Sequence, residues 1–135
     1  MAELIVPAAA EQLAQVLNFI EEQLTAAACP MKQQMQMAIA AEEIFINIAS
    51  YAYSPGTGDA RIQCEITKEP ACVLLQFEDS GAAYDPLAKE DPDVTLGAKE
   101  RTVGGLGIYL VKKSMDDVSY EYRDGKNILT LKKFL

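Results

Sequence analysis

Two pairs of strand-like segments, each joined by a short connection, limit what this chain can fold into more than any other feature. ARIQCEIT (60–67) and CVLLQFED (72–79) alternate apolar positions on either side of KEPA, a spacing that suits an antiparallel pair. VSYEYR (118–123) and NILTLKK (127–133) flank DGK, where Asp-Gly tolerates the positive φ of a tight turn. Strands grouped as hairpins do not fit the single alternation of strand and helix that builds a parallel sheet.

The remaining segments read as helices around those hairpins. ELIV near the start is a short strand. Pro7 and Glu11 then open a stretch in which Leu13, Val16, Leu17, Ile20 and Leu24 recur at helical spacing, ending near ACP (28–30). A longer helical pattern runs from about Met31 to Tyr53 and stops at SPGTGD, because Pro55, Gly56 and Gly58 cannot continue it. From Tyr84 the chain carries prolines and charges with no sustained period, and about twenty such residues inside a small domain usually form a lid or binding loop. LGIYLVKKSM (106–115) is helical again. The order predicts an α+β sandwich in one domain spanning 1–135, with helices on one face of a mixed, mostly antiparallel sheet.

Composition removes several chemistries. With 135 residues, half of them apolar, the chain can bury a core of its own. The absence of histidine excludes catalytic imidazole, His-metal ligation and phosphohistidine, leaving carboxylates, amides, hydroxyls and lysines. Cys29, Cys64 and Cys72 lack CxxC spacing and sit among apolar or small residues, which suits reduced core thiols. A net charge of −8 opposes polynucleotide and anionic-lipid binding at long range. No run reaches the length of a membrane span and the first residues lack the pattern of a signal peptide, so the expected location is the cytoplasm.

Three constellations could carry chemistry. On the second helix, Met37, Ala41, Ile44 and Ile48 make an apolar stripe, Phe45, Ile39 and Ile46 add apolar surface, and Gln36, Glu43, Asn47 and Ser50 leave a narrow polar stripe. Glu43 and Asn47 are four apart and share a face. They are either a solvated helix edge or a carboxylate and amide able to hold Mg²⁺ and take a proton; Asn in a helix interior favours the second. In VLLQFEDSGAAYDP, counting by two from Val73, Leu75 and Phe77 puts Asp79 on the apolar face. Asp79 either bonds its own backbone in an Asp-Ser-Gly turn or accepts from the amino group of a purine, with Gly81 admitting the flat base. Gly104, Gly105 and Gly107 lead into a helix, where free N–H groups could receive an anion, although a hinge explains the same glycines. No Walker A lysine follows.

Taken in order, EIFIN on a helix, DSGAAYDP after a strand, and a long segment ending in GGLGIYLVKKSMDDVSYE resemble the N, G1 and G2 boxes of the GHKL ATPases. The resemblance covers nearly the whole chain and is nearest to the anti-sigma factor serine/threonine kinases. It implies a Bergerat α/β sandwich holding ATP and Mg²⁺ beneath a lid at about 85–103. It also implies roles: Asn47 as Mg²⁺ ligand, Glu43 as general base, Asp79 as acceptor of the adenine amino group with Gly81 shaping that pocket, and Gly104, Gly105, Leu106 and Gly107 at the phosphates. Thr130 would reach adenine through water, and Lys99 and Arg101 would be lid cations. Tyr51 departs from the pattern, since relatives commonly carry His four residues after the Asn. The implied function is a protein kinase that phosphorylates an anti-sigma antagonist and sequesters a sigma factor, with homodimerisation. A nucleotide-gated binding module without kinase activity, or an interaction domain with a degenerate pocket, would share the fold.

Overall fold

The computed structural model describes residues 1–88 and 105–135, with Gly105 and Leu106 described as helical backbone. Five strands, β1 (Ala2–Pro7), β2 (Asp59–Lys68), β3 (Ala71–Asp79), β4 (Asp117–Arg123) and β5 (Lys126–Phe134), form one sheet in the order β1-β2-β3-β5-β4. Each pairing is antiparallel, so the sheet expected to be mostly antiparallel is so throughout the described residues. Its helices are α1 (Leu13–Ala26), α2 (Met31–Asn47) and α3 (Gly105–Ser114).

Alternation along the strands decides which sheet face the helices cover. Ala60, Ile62 and Cys64 on β2, Val73, Leu75 and Phe77 on β3, and Leu129 and Leu131 on β5 are all buried. They meet Val16, Ile20 and Leu24 of α1, Met37, Ala40, Ala41, Ile44 and Phe45 of α2, and Val111 and Met115 of α3 in one core. Burial of each large side chain contributes roughly 1.5–3 kcal/mol, so this single layer is what holds the helices to the sheet. Ile39, expected to add apolar surface on α2, is instead 61% exposed. Two residues from both Met37 and Ala41, it falls on the far side of a helix turning about 100° per residue.

The other sheet face is polar and stapled by charge. Glu78 of β3 receives Lys126 of β5 at 2.9 Å and Arg61 of β2 at 3.6 Å, and Arg61 also meets Glu3 of β1 at 2.8 Å. Four adjacent strands are thus tied across their ends, although such partly exposed pairs contribute about 0–1 kcal/mol each. The β4–β5 turn has positive φ at Asp124 (54°) and Gly125 (75°), as the Asp-Gly pair predicts.

One helix end differs from the sequence pattern. The second helix does not run regularly to Tyr53: α2 ends at Asn47 and continues as a π-helical turn over Ile48–Ala52. Tyr51, within that turn, is 73% exposed. Of the expected lid, Pro86–Ala88 form a short 3-10 turn begun by Leu87 donating its N–H to Asp85 Oδ1 at 2.8 Å. Lys99, Arg101 and Gly104 lie outside the described residues.

Candidate functional site

The polar residues that the apolar patterns leave over stand on α2, at the start of α3 and at the end of β3. Glu43 and Asn47 are half-buried on α2, one turn apart, and Asn47 donates its side-chain amide to Glu43 Oε1 at 3.4 Å. That bond commits the nitrogen end of Asn47 and one carboxylate oxygen. Asn47 Oδ1 and Glu43 Oε2 accept no bond among the described residues, and so are available to a cation and to a proton donor.

Gly107, in the first turn of α3, is packed directly on Glu43. A Cβ built there would lie 2.2 Å from the carboxyl carbon, 2.2 Å from Oε1 and 2.5 Å from Oε2. The glycine lets the Glu43 head group approach closely, at the helix end where unpaired N–H groups attract negative charge. Gly105 begins the same helix and Leu106 follows it.

Asp79 closes β3 on the core face, 7% exposed. Its Oδ1 accepts the Gly81 N–H at 2.9 Å, which is the Asp-Ser-Gly turn, and also the Asn127 side-chain amide at 3.0 Å. Oδ2 accepts nothing among the described residues. The turn and an acceptor role are thus compatible, because they use different oxygens. Opposite Asp79 on β2 stands Ala60, fully buried in the core.

Gly81 is also explained by packing. A Cβ on it would lie 2.1 Å from the Ala52 carbonyl oxygen, so the loop after β3 rests on the backbone of the π-helical turn. Tyr53 fastens the same corner: its hydroxyl donates to the Asp59 carbonyl at 2.6 Å and accepts the Ser80 N–H at 2.7 Å. The end of α2, the start of β2 and the loop after Asp79 form one connected unit.

Thr130 is not part of this site. The register pairs Gln76 with Thr130 and Asp79 with Asn127, and the two pairs fall on opposite sheet faces. Thr130 accepts from Gln76 Nε2 at 3.3 Å on the polar face, so the expectation that it reaches a base beside Asp79 through water does not fit. Asn127 fills that place, and the sequence reading missed it. The signal was present: counting back by two from Leu131 and Leu129 puts Asn127 on the core face, as counting forward found Asp79.

The three cysteines are free and buried, as expected of core thiols, and burial pushes the Cys64 thiol up to about 11. Lys113 is exposed, with its ammonium 5.5 Å from the Tyr109 ring centroid. No described helix is long and apolar enough to cross a membrane.

Comparison with known sequences places this geometry. A family profile described as "Histidine kinase-like ATPase domain" matches residues 6–133. The chain is 36% identical over 95 residues to the serine/threonine-protein kinase BtrW of Bordetella bronchiseptica, covering 70% of this chain and 66% of that protein. It is 27% identical over 100 residues to the serine-protein kinase RsbW of Listeria monocytogenes, covering 71% and 63%. The RsbW of Bacillus cereus is likewise 27% identical over 100 residues, covering 71% and 61%. The match therefore spans just under two thirds of the length of each of these relatives.

Proposed function

The chain belongs to the histidine kinase-like ATPase domain family, and from that premise we propose that it binds Mg-ATP between α2, α3 and the end of β3 and transfers the γ-phosphoryl group to a serine or threonine of a partner protein. The observation that carries this reading is the Glu43–Asn47 pair set against Gly107. It joins a candidate base, a cation ligand and a helix start within one contact.

The residues fit the two ligands. Asp79 offers one unengaged carboxylate oxygen to a base amino group. Asn47 offers one amide oxygen to a cation, and so few protein ligands suit magnesium that arrives with the nucleotide, its other positions filled by water and phosphate oxygens. When bound, Mg²⁺ would neutralise phosphate charge. The first turn of α3 would receive phosphate oxygens on backbone N–H groups, with Gly105 and Gly107 presenting no side chain there. Glu43 would take the proton of the attacking hydroxyl as its oxygen bonds to the γ-phosphorus and the bond to the β-phosphate oxygen breaks, releasing ADP. Transfer of this kind rests mostly on positioning and electrostatics, which rigid α2 and α3 supply.

The resemblance to anti-sigma factor kinases supplies the partners of this proposal: an anti-sigma antagonist as phosphoacceptor and a sigma factor as the protein sequestered, in the cytoplasm, by a homodimer. The test is transfer of label from γ-labelled ATP to candidate antagonists. Wild type should label the acceptor, and Glu43→Ala should bind Mg-ATP yet transfer at least about a hundredfold more slowly, the usual contribution of a positioned base. Robust transfer by Glu43→Ala would remove the assigned base. Tight binding of ATP by wild type with no transfer to any antagonist would favour a nucleotide-gated binding module instead.

A further inference from the structure

Asp79 and Asn127 are the buried polar side chains among the described residues, and they are bonded to each other across 48 positions of sequence. Asn127 uses its whole head group. Nδ2 donates to Asp79 Oδ1 at 3.0 Å, to the Ala82 carbonyl at 3.0 Å and to the Gly81 carbonyl at 3.3 Å, so two hydrogens serve three acceptors. Oδ1 accepts the Tyr84 N–H at 3.0 Å and the Tyr120 hydroxyl. The amide orientation is fixed by this set, because the flipped form would point an oxygen at three oxygens. Every bond but that from Tyr120 runs to Asp79 at the end of β3 or to the segment 80–84 that follows it.

We propose that Asn127 is the positioning residue of the base pocket, holding Asp79 Oδ1 so that Oδ2 alone faces the ligand and thereby selecting a purine with an amino group, not a carbonyl, at its six position. This rests on the nucleotide-binding reading above and extends it to a residue on another strand. An ionised carboxylate accepts hydrogen bonds and donates none, so a base carbonyl facing it meets repulsion. The selection requires Asp79 to be held still. Freed of Asn127, it can turn either oxygen towards the ligand or towards water, and its neighbouring Gly81 and Ala82 carbonyls lose their donor. Tyr120 suits its part: burial raises its phenol above the ordinary range, with the charges of Asp85 and Asp79 acting in the same direction, and keeps the donor proton on.

The test is calorimetric titration of wild type and Asn127→Ala with Mg-ATP and with Mg-ITP, which differ at the six position and the adjoining ring nitrogen. Wild type is expected to favour ATP. Asn127→Ala should lose on the order of tenfold in ATP affinity, in line with a buried acceptor losing its donor, while ITP changes less than about twofold, so that the preference collapses. A folded Asn127→Ala that keeps the wild-type preference overturns the proposal, since general loosening lowers both affinities together. Asn127→Asp gives a second reading should the alanine variant not fold. Its new carboxyl faces Asp79, with Tyr84, Tyr120 and Asp85 nearby, and two such carboxyls share a proton when acidified. The shared proton restores the donor, so its ATP-to-ITP ratio should rise at least about fivefold from pH 8 to pH 5.5, whereas a flat ratio overturns the proposal. Protonation of the triphosphate cancels in that ratio. Failure of wild type to bind ATP would remove the nucleotide reading and this inference with it; binding with preference retained in both variants removes the inference alone.

Discussion

The Glu43 carboxylate lies where a side chain at Gly107 would be, within 2.2 Å of a Cβ built on that residue. The obstructing atoms are the end of a flexible side chain, which can swing aside. Gly107→Ala should therefore leave the thermal midpoint unchanged or raise it slightly, since alanine is favoured over glycine in a helix by up to about 1 kcal/mol. The displaced carboxylate should slow phosphoryl transfer by about ten- to a hundredfold, the usual penalty of a misplacement near 1 Å. Thermal melts and transfer rates measured on one preparation check it; full activity would show that Glu43 need not stand where it does.

Gly81 gives the opposite case. A Cβ there meets the Ala52 carbonyl oxygen at 2.1 Å and its carbon at 2.7 Å, and backbone cannot swing away. Gly81→Ala should destabilise by about 1–3 kcal/mol or more, as overpacking does. The midpoint should fall by roughly 3–10 °C for a domain of this size. An unshifted melt would mean that the loop after β3 does not rest on the end of α2.

Tyr53→Phe removes one hydroxyl and two hydrogen bonds, to the Asp59 carbonyl and from the Ser80 N–H. The expected loss is roughly 1–2 kcal/mol in urea unfolding with an unchanged m-value. Because Ser80 follows Asp79, affinity for ATP should drop in parallel. A variant with wild-type stability and affinity would remove Tyr53 as the fastening of this corner.

Burial of Cys64 makes stability depend on pH on the alkaline side. Its thiol titrates near 9.0 when unfolded and about 11 when folded. Below pH 9 both states keep the proton and nothing is lost. Between pH 9 and 11 the unfolded chain has released it and the native chain has not, so stability falls as pH rises. The loss approaches about 2–3 kcal/mol at pH 11. Denaturation of wild type and Cys64→Ala across this range, taken as a difference, isolates the group; identical slopes would show that the thiol ionises alike in both states.

Much of this molecule was legible because its elements obey their periods. The hairpins, the buried stripe of α2 and the inward row ending at Asp79 follow from counting by two or by about 3.6, and the same counts put Glu43 and Asn47 on one face of α2. What counting along one segment cannot supply is register between segments distant in sequence. Thr130 and Asn127 lie three apart on β5, on opposite faces; counting by two puts Asn127 on the core face, and the pairing of β5 with β3 sets it opposite Asp79. The π-helical turn was illegible for a related reason: Gly81 meets Ala52 through backbone, and backbone contacts leave no trace in hydrophobic pattern.

β3 holds the middle of the sheet, with β2 on one side and β5 on the other, while β1 and β4 form its edges. An edge strand can detach by breaking a single ladder; the central one needs two to break. In amide exchange β3 should be among the last segments to take up deuterium. Asp79, the carboxylate proposed to read the base, is mounted there. Partial openings that fray the rim of the sheet should therefore pass without disturbing Asp79, and the proposed recognition of a base would then survive in states that are no longer wholly folded.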